Sequence, residues 1–129
     1  MTATGAIMSR DVLAVEPDIG LQETAERMVA RSVGAVLVLE EGRLAGILTE
    51  RDVLKAVAAG RAERAVVRDW MTADPEVIGP DEATDQAATL MIHGGFRHLP
   101  VVDGAELVGV VSIRDLVPLV LEDSAPRGA

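Results

Sequence analysis

The sequence contains no cysteine and no tyrosine, and its aromatic residues are limited to Trp70 and Phe96. Without cysteine the chain cannot form disulfides, thiolate metal sites or a cysteine nucleophile. Hydrophobic residues make up 49% of the chain and aromatic ones only 2%, so the core must be aliphatic. Branched aliphatic residues suit strands, and alanine and leucine suit helices, so this composition favours a mixed α/β protein over an all-β protein.

Long hydrophobic runs and positive charge are also scarce. No segment is apolar over the length of a bilayer, and residues 1–10 lack the basic start and apolar stretch of a secretory signal. We therefore expect a cytoplasmic protein without a membrane partner. The formal net charge of −9 repels phosphate backbones, and few aromatics are available to stack bases, so nucleic acid is not an expected partner. A small anionic ligand remains compatible with this net charge. Salt screens the distant acidic surface, so a local basic cluster can dominate close to the ligand.

The main feature of the sequence is an internal repeat. The segment from Met8 aligns with the segment from Met71, a shift of 63 residues, and no gap is needed as far as Val57 on Val120. Chance would give about three or four identities over this span at ordinary residue frequencies. The identical pairs number far more and include Met8/Met71, Asp11/Asp74, Pro17/Pro80, Asp18/Asp81, Ala25/Ala88, Met28/Met91, Val38/Val101, Leu44/Leu107, Gly46/Gly109, Arg51/Arg114, Asp52/Asp115 and Val57/Val120.

Each copy predicts the element order βαββα. A short strand leads to a Pro-Asp pair, whose aspartate is predicted to cap the following helix. A β-hairpin and a closing helix complete the copy. In the first copy the predicted strands are 13–15, 35–39 and 44–48, and the predicted helices begin at Asp18 and Thr49. In the second copy the predicted strands are 77–78, 99–102 and 107–111, and the predicted helices begin at Asp81 and Ser112.

We divide the chain into a first repeat at 7–60, a linker at 61–69, a second repeat at 70–121 and a flexible tail at 122–129. One copy alone is too small for a stable core. The two copies are therefore expected to pack on each other through their sheets with pseudo-twofold symmetry.

The most specific motif joins the third strand of each copy to its closing helix. Residues 46–52 read Gly-Ile-Leu-Thr-Glu-Arg-Asp, and residues 109–115 read Gly-Val-Val-Ser-Ile-Arg-Asp. Together with the repeat, this pattern resembles the CBS-domain family, specifically the tandem pair called a Bateman module. The resemblance implies an α/β (α+β) fold of two βαββα repeats that binds an adenosine-type nucleotide and has no catalytic residues.

The motif also has a direct chemical interpretation. A carboxylate such as that of Asp52 or Asp115 can accept hydrogen bonds from both ribose hydroxyls. The hydroxyl of Thr49 or Ser112, with the free N–H groups of a helix start, can bind a phosphate oxygen. The same spacing is also a capping-box pattern, in which the aspartate bonds only its own helix N-terminus.

Further ligand contacts are implied mainly in the second copy. Arg97 and His98 resemble the family segment in which a basic residue before the middle strand reaches phosphate. The first copy has no basic residue there, which predicts unequal sites. Arg51 and Arg114 either contact phosphate or form surface salt bridges. In the family the adenine is held by the first strand, and the matching positions here are Val15, Val77, Ile78 and Pro80.

The predicted protein is thus a regulatory, energy-sensing module that requires no cofactor. Its ligand is expected to be AMP, ADP, ATP, S-adenosylmethionine or NAD, bound in the cleft between the repeats, and its output passes to an unknown effector protein. Catalysis is disfavoured because no base is placed beside a nucleophile. A metal site is not expected either, since His93 and His98 show no clear ligand spacing.

The alternative is a ligand-free structural dimerisation module. The closing helices carry apolar stripes that a partner chain could cover, so we expect a homodimer. Pro118 lies inside the last helix and is predicted to kink or shorten it. The two stripes are Val53, Leu54 and Val57 in the first copy, and Leu116, Val117, Val120 and Leu121 in the second.

Overall fold

The computed structural model describes residues 2–124, with side-chain environments for residues 2–119. The chain forms two compact units that do not follow the boundary between the sequence copies. The first unit comprises residues 11–75, and the second combines residues 2–10 with residues 76–124. Mixed helices and strands in both units confirm the predicted α/β composition.

The first unit contains four strands in the order β1-β2-β3-β4 and three helices. Its core is aliphatic, with Leu21, Val36, Val38, Leu48 and Val67 fully buried. β1 is parallel to β2, whereas β2–β3 and β3–β4 are antiparallel. The elements are β1 Ala14–Val15, α1 Leu21–Arg31, β2 Ala35–Glu40, β3 Arg43–Thr49, α2 Glu50–Ala58, α3 Val67–Trp70 and β4 Thr72–Ala73.

The second unit repeats this plan with fewer assigned strands. Its hairpin is flanked by a parallel bridge, Ile78 to Val101, and an antiparallel bridge, Ser9 to Val110. Its core includes Ile78, Met91, Leu99 and Val111, with Ile7 and Met8 packed against it. The elements are a 3₁₀ helix Thr4–Ala6, α4 Thr84–Gly94, β5 His98–Asp103, β6 Glu106–Ser112 and α5 Ile113–Ser124.

The register of the two hairpins is identical after the shift of 63 residues. Val15 lies beside Val38 in the first unit, as Ile78 lies beside Val101 in the second. Both hairpins also shift register at the same point, between Val38 and Leu39 and between Val101 and Val102. Repeated side-chain patterns therefore fix equivalent positions in space.

The structural repeat extends further towards the N-terminus than the sequence repeat. Thr4 donates its N–H to the Glu82 carbonyl at 2.8 Å, and Val67 donates to the Ile19 carbonyl at 3.0 Å. These pairs are related by the same shift, although residues 2–7 and 65–70 share no identity. Residues 65–69 of the predicted linker are thus packed into the first unit, and Val67 is fully buried.

The predicted caps at Asp18 and Asp81 are wrong. The helices begin three residues later, after Gly20 and Ala83, and neither cap residue offers a side-chain bond. The free N–H groups of the first turns are instead satisfied by other backbone segments. Leu21 donates to the Ala65 carbonyl at 2.9 Å, and Thr84 donates to the Thr2 carbonyl at 3.0 Å.

α5 continues through Pro118 to Ser124, so the predicted shortening of this helix is wrong. Of the predicted tail, 122–124 belongs to α5, and 125–129 lies outside the described residues. The side chains of Val120 and Leu121 also lie outside them. Of the helices in residues 2–124, none combines the length and apolar composition that crossing a membrane requires.

Candidate nucleotide site

The start of α2 is closed by a reciprocal capping box. The Asp52 N–H donates to Thr49 Oγ1 at 3.4 Å, and the Thr49 N–H donates to Asp52 Oδ2 at 2.9 Å. The Thr49 hydroxyl adds a third bond to Asp52 Oδ2, at 3.1 Å. The predicted capping alternative is therefore present in the first unit.

The start of α5 has the same arrangement. The Asp115 N–H donates to Ser112 Oγ at 3.3 Å, and the Ser112 N–H donates to Asp115 Oδ2 at 2.8 Å. Both aspartates are half-buried, and among the described residues their Oδ1 atoms accept no hydrogen bond. The box holds one carboxylate oxygen and leaves the other available, so capping and ribose binding are compatible roles.

β1 in the first unit, and the segment bridged at Ile78 in the second, each contribute an open backbone edge. In the second unit both backbone groups of Ile78 bond to β5, through the Pro100 carbonyl at 3.0 Å and the Val102 N–H at 2.9 Å. Alternate residues of a parallel ladder face opposite sides, so the N–H and C=O of Val77 point away from β5. The exposed side chain of Val77 agrees with this placement.

The equivalent residue in the first unit is Ala14, which the sequence reasoning missed. The Leu37 N–H bonds to the Leu13 carbonyl at 3.0 Å, and Val15 lies in register with Val38. Val15 is buried and turned into the sheet, whereas Ala14 is exposed on the edge strand. The 63-residue shift from Val77 is the signal that could have identified Ala14.

The predicted contact at Pro80 is already used within the fold. Its carbonyl accepts the Gly5 N–H at 2.8 Å, as the Pro17 carbonyl accepts the Arg68 N–H at 2.8 Å. In the first unit the Arg68 side chain also bonds Asp18 at 3.1 Å and Glu40 at 2.6 Å. The Glu40 and Asp18 carboxylates raise the pKa of Arg68 further above its ordinary value, so it stays charged.

The arginines and the histidine lie where the hairpin meets the closing helix. His98 begins β5 opposite Ser112, and the Arg97 carbonyl accepts the Ile113 N–H at 2.8 Å. Arg97 is exposed, as are Arg51 and Arg114 in the first turns of α2 and α5. None of these three arginines forms an ion pair with another residue in the described part of the chain.

Within each unit the predicted residues lie on both sides of one central strand. Thr49 is opposite Ala35 and Val15 is beside Val38, three residues further along β2. That offset is about 10 Å along the strand. Ser112, His98, Ile78 and Val101 repeat the spacing in the second unit.

The motif glycines make room for a neighbouring segment. A Cβ on Gly46 would lie 2.7 Å from Met71 Sδ and 2.8 Å from the Thr72 carbonyl oxygen. A Cβ on Gly109 would lie 2.7 Å from Met8 Sδ and 2.8 Å from the Ser9 carbonyl oxygen. These glycines therefore serve sheet packing.

A separate cavity of about 820 Å³ lies at the opposite end of α2. None of the predicted site residues lines it. Its walls are Val57, Gly60, Arg61, Ala62, Glu63, Arg64, Ala65, Asp69 and Trp70.

The fold of this chain is similar to that of several solved structures. A protein with CBS domains from Burkholderia ambifaria has a TM-score of 0.88 at 33% identity, covering 99% of this chain and all of that one. The CBS domain protein PAE2072 from Pyrobaculum aerophilum, complexed with AMP, has a TM-score of 0.86 at 26% identity, covering 96% of this chain and all of that one. The CBS domain pair of MJ0100, in complex with 5′-methylthioadenosine and S-adenosyl-L-methionine, has a TM-score of 0.87 at 26% identity, with coverages of 95% and 98%.

Sequence comparison agrees. The CBS domain-containing protein YhcV of Bacillus subtilis is 36% identical over 117 residues, which is 90% of this chain and 84% of YhcV. The model of the CBS domain matches residues 5–59 and again residues 67–122. The duplicated helix entrances and the two matches together establish that the chain belongs to the CBS-domain family as a tandem pair.

Proposed function

We propose that the protein is a non-catalytic regulatory module that binds an adenosine-type nucleotide and passes its state to a partner protein. The observation that carries this proposal is the duplicated helix entrance, where Asp52 and Asp115 each keep one carboxylate oxygen available. The ligands of PAE2072 and MJ0100, which all contain adenosine, support the same ligand class.

The geometry offers one partner for each part of an adenosine. Ala14 and Val77 present an N–H donor and a C=O acceptor side by side, which complements the ring nitrogen and exocyclic amine of adenine. The free Oδ1 of each aspartate can accept a ribose hydroxyl. At the starts of α2 and α5, the N–H groups of Arg51 and Arg114 are used neither by the capping boxes nor by the Gly34 and Arg97 carbonyls, and they can bind a group attached at the 5′ position.

Regulation follows if the ligand binds one conformation more tightly than another. The ligand then shifts the population towards that conformation, and a partner protein that prefers it responds.

Calorimetric titration of AMP, ADP, ATP, S-adenosylmethionine and NAD into the full chain tests this function. We expect saturable binding of at least one of them, with a matching rise in melting temperature. Native mass spectrometry of protein purified from its own cells would show whether a nucleotide is retained. No binding with any of the five, in protein that is folded by circular dichroism, would contradict the proposal.

A ligand-free dimerisation module is the second candidate, favoured by exposed apolar residues on the closing helices. Leu54 is 66% exposed and Val117, its counterpart in the repeat, is 46% exposed. A second copy of the chain is the partner we propose for these helices. Dimerisation without any nucleotide binding would favour this candidate.

A further inference from the structure

The entrances of the two closing helices share one backbone framework. In the second unit the Ile113 N–H bonds to the Arg97 carbonyl at 2.8 Å, and His98 lies opposite Ser112. In the first unit the Glu50 N–H bonds to the Gly34 carbonyl at 3.0 Å, and Ala35 lies opposite Thr49. Side chains at these positions therefore occupy equivalent places around each entrance.

Those equivalent side chains differ in charge. Arg97 in the second unit corresponds to Gly34, which has no side chain. The exposed Glu50 at the start of α2 corresponds to Ile113 at the start of α5. One entrance thus carries an added guanidinium, and the other carries an added carboxylate.

The remaining charges near the entrances do not remove this contrast. Arg51 and Asp52 recur as Arg114 and Asp115, so their contributions are matched. Glu82 of the second unit, which replaces Ile19, is held by its loop, because its Oε2 accepts the Gly79 N–H at 2.7 Å. Glu16 of the first unit, which replaces Gly79, follows Val15 and so lies away from the α2 entrance along β2.

We propose that the two units select different groups at the 5′ position of adenosine, an inference that rests on the adenosine binding proposed above. The second unit takes a nucleotide whose 5′ group is a phosphate, which Arg97 and the α5 N-terminus stabilise. The first unit takes an adenosine whose 5′ group is uncharged or positively charged, because Glu50 repels phosphate. One chain then reports two adenosine compounds of different charge.

Calorimetric titration of the full chain with adenosine and with AMP tests the difference. We expect adenosine to occupy two sites per chain and AMP to occupy one at comparable concentrations. Asp115→Asn should abolish AMP binding, whereas Asp52→Asn should only reduce the adenosine stoichiometry. Two equal AMP sites per chain would overturn the inference while leaving adenosine-nucleotide binding intact.

Charge variants test the cause. Arg97→Ala should weaken AMP about ten-fold or more while changing adenosine affinity less than about two-fold, since it removes only a charged phosphate contact. Glu50→Gln should create a second, weaker AMP site. Arg43→Ala, which removes an exposed arginine at the β2–β3 turn, is the matched control and should change neither affinity.

Equal weakening of adenosine and AMP by Arg97→Ala would overturn the charge assignment. Failure of both adenosine and AMP to bind the unmodified chain would instead contradict the proposed function itself.

Discussion

Asp52 and Asp115 combine a structural and a proposed binding role in one side chain. Each fixes its carboxylate through Oδ2 on the N–H of the residue that precedes its helix. Such a carboxylate is preorganised, because its orientation is set before any ligand arrives. The pattern Thr/Ser-x-x-Asp predicted the capping box directly. The availability of Oδ1 could not be predicted, since it depends on what surrounds the helix start.

Removing either carboxylate should affect both stability and binding. Asp52→Ala and Asp115→Ala should each lower the free energy of unfolding by about 1 kcal/mol, because each variant loses the capping-box hydrogen bond to the N–H of Thr49 or Ser112. Asp115→Ala should weaken AMP binding more than Asp52→Ala does, because only the second unit has Arg97. Urea unfolding and calorimetry measure the two effects separately. Similar losses of AMP affinity in both variants would contradict the asymmetry.

Residues whose role is carried by the backbone were the hardest to predict. The sequence pattern predicts Val77 as a site residue but does not single out its equivalent Ala14, because an exposed alanine has no distinctive side-chain chemistry. Val15 and Ile78 were predicted as adenine contacts, yet they lie buried with their backbone groups turned into the sheet. A shift of one residue along a strand reverses the direction in which the backbone groups point, so the sequence pattern alone could not decide between adjacent positions.

At the scale of elements, the hairpins and closing helices were predictable from the repeat. The hairpin β2–β3 turns at Glu41 and Gly42, which both have positive φ, as a tight turn between strands requires. The N-terminal ends of α1 and α4 were not predictable. Their first-turn N–H groups bond to backbone carbonyls of Ala65 and Thr2, which lie far away in sequence.

The close packing at the motif glycines leads to a stability prediction. Gly46→Ala or Gly109→Ala places a Cβ within 2.8 Å of a carbonyl oxygen on the adjacent segment, so the two segments must separate. We expect each variant to lose about 1–3 kcal/mol in the free energy of unfolding. Chemical denaturation of the purified variants measures this loss.

Gly20→Ala is the matched control for the glycine variants. Gly20 has φ −63°, and a Cβ there would have no atom within 4 Å. Its replacement should leave stability unchanged or raise it slightly, by restricting the unfolded chain. If Gly46→Ala were as stable as Gly20→Ala, the tight approach of β3 to Met71 and Thr72 would be wrong.

For the whole molecule, the exposed positions repeat as regularly as the buried ones. Val29 and Ile92, 80% and 73% exposed, correspond through the repeat, as do Leu54 and Val117. Exposed apolar residues at matched positions favour a partner surface over chance. A second copy of the chain, with the same repeat, is the partner proposed above.

A charged residue at these positions should prevent self-association. The double variant Leu54→Glu, Val117→Glu is expected to be monomeric by light scattering under conditions where the unmodified chain is a dimer, because an unpaired buried carboxylate is costly. Glu63→Gln, an exposed change off the closing helices, is the control. A double variant that remains dimeric would exclude these two helix positions from the interface.

The segment before each first strand packs in the other copy's unit: residues 2–10 belong to the second unit, and residues 65–75 belong to the first. This division decides which pieces of the chain can fold alone. A fragment of residues 11–75 retains β1–β4 and the whole aliphatic cluster of the first unit, including the fully buried Val67. A fragment of residues 1–65 has the same length but lacks α3, Met71 and β4. Domains of this size are marginally stable, so the loss of one buried side chain and one strand should be decisive.

We therefore expect fragment 11–75 to unfold cooperatively on heating and fragment 1–65 to show no cooperative transition. Circular dichroism against temperature, with dispersion of amide resonances as a second readout, distinguishes the two. Equal cooperativity would mean that residues 66–75 add little to the first unit. If only fragment 11–75 unfolds cooperatively, the folded unit begins after Arg10, a boundary that the sequence repeat does not mark. The repeat does not mark it because residues 65–73 join the first unit through backbone pairing and not through side chains shared with the other copy.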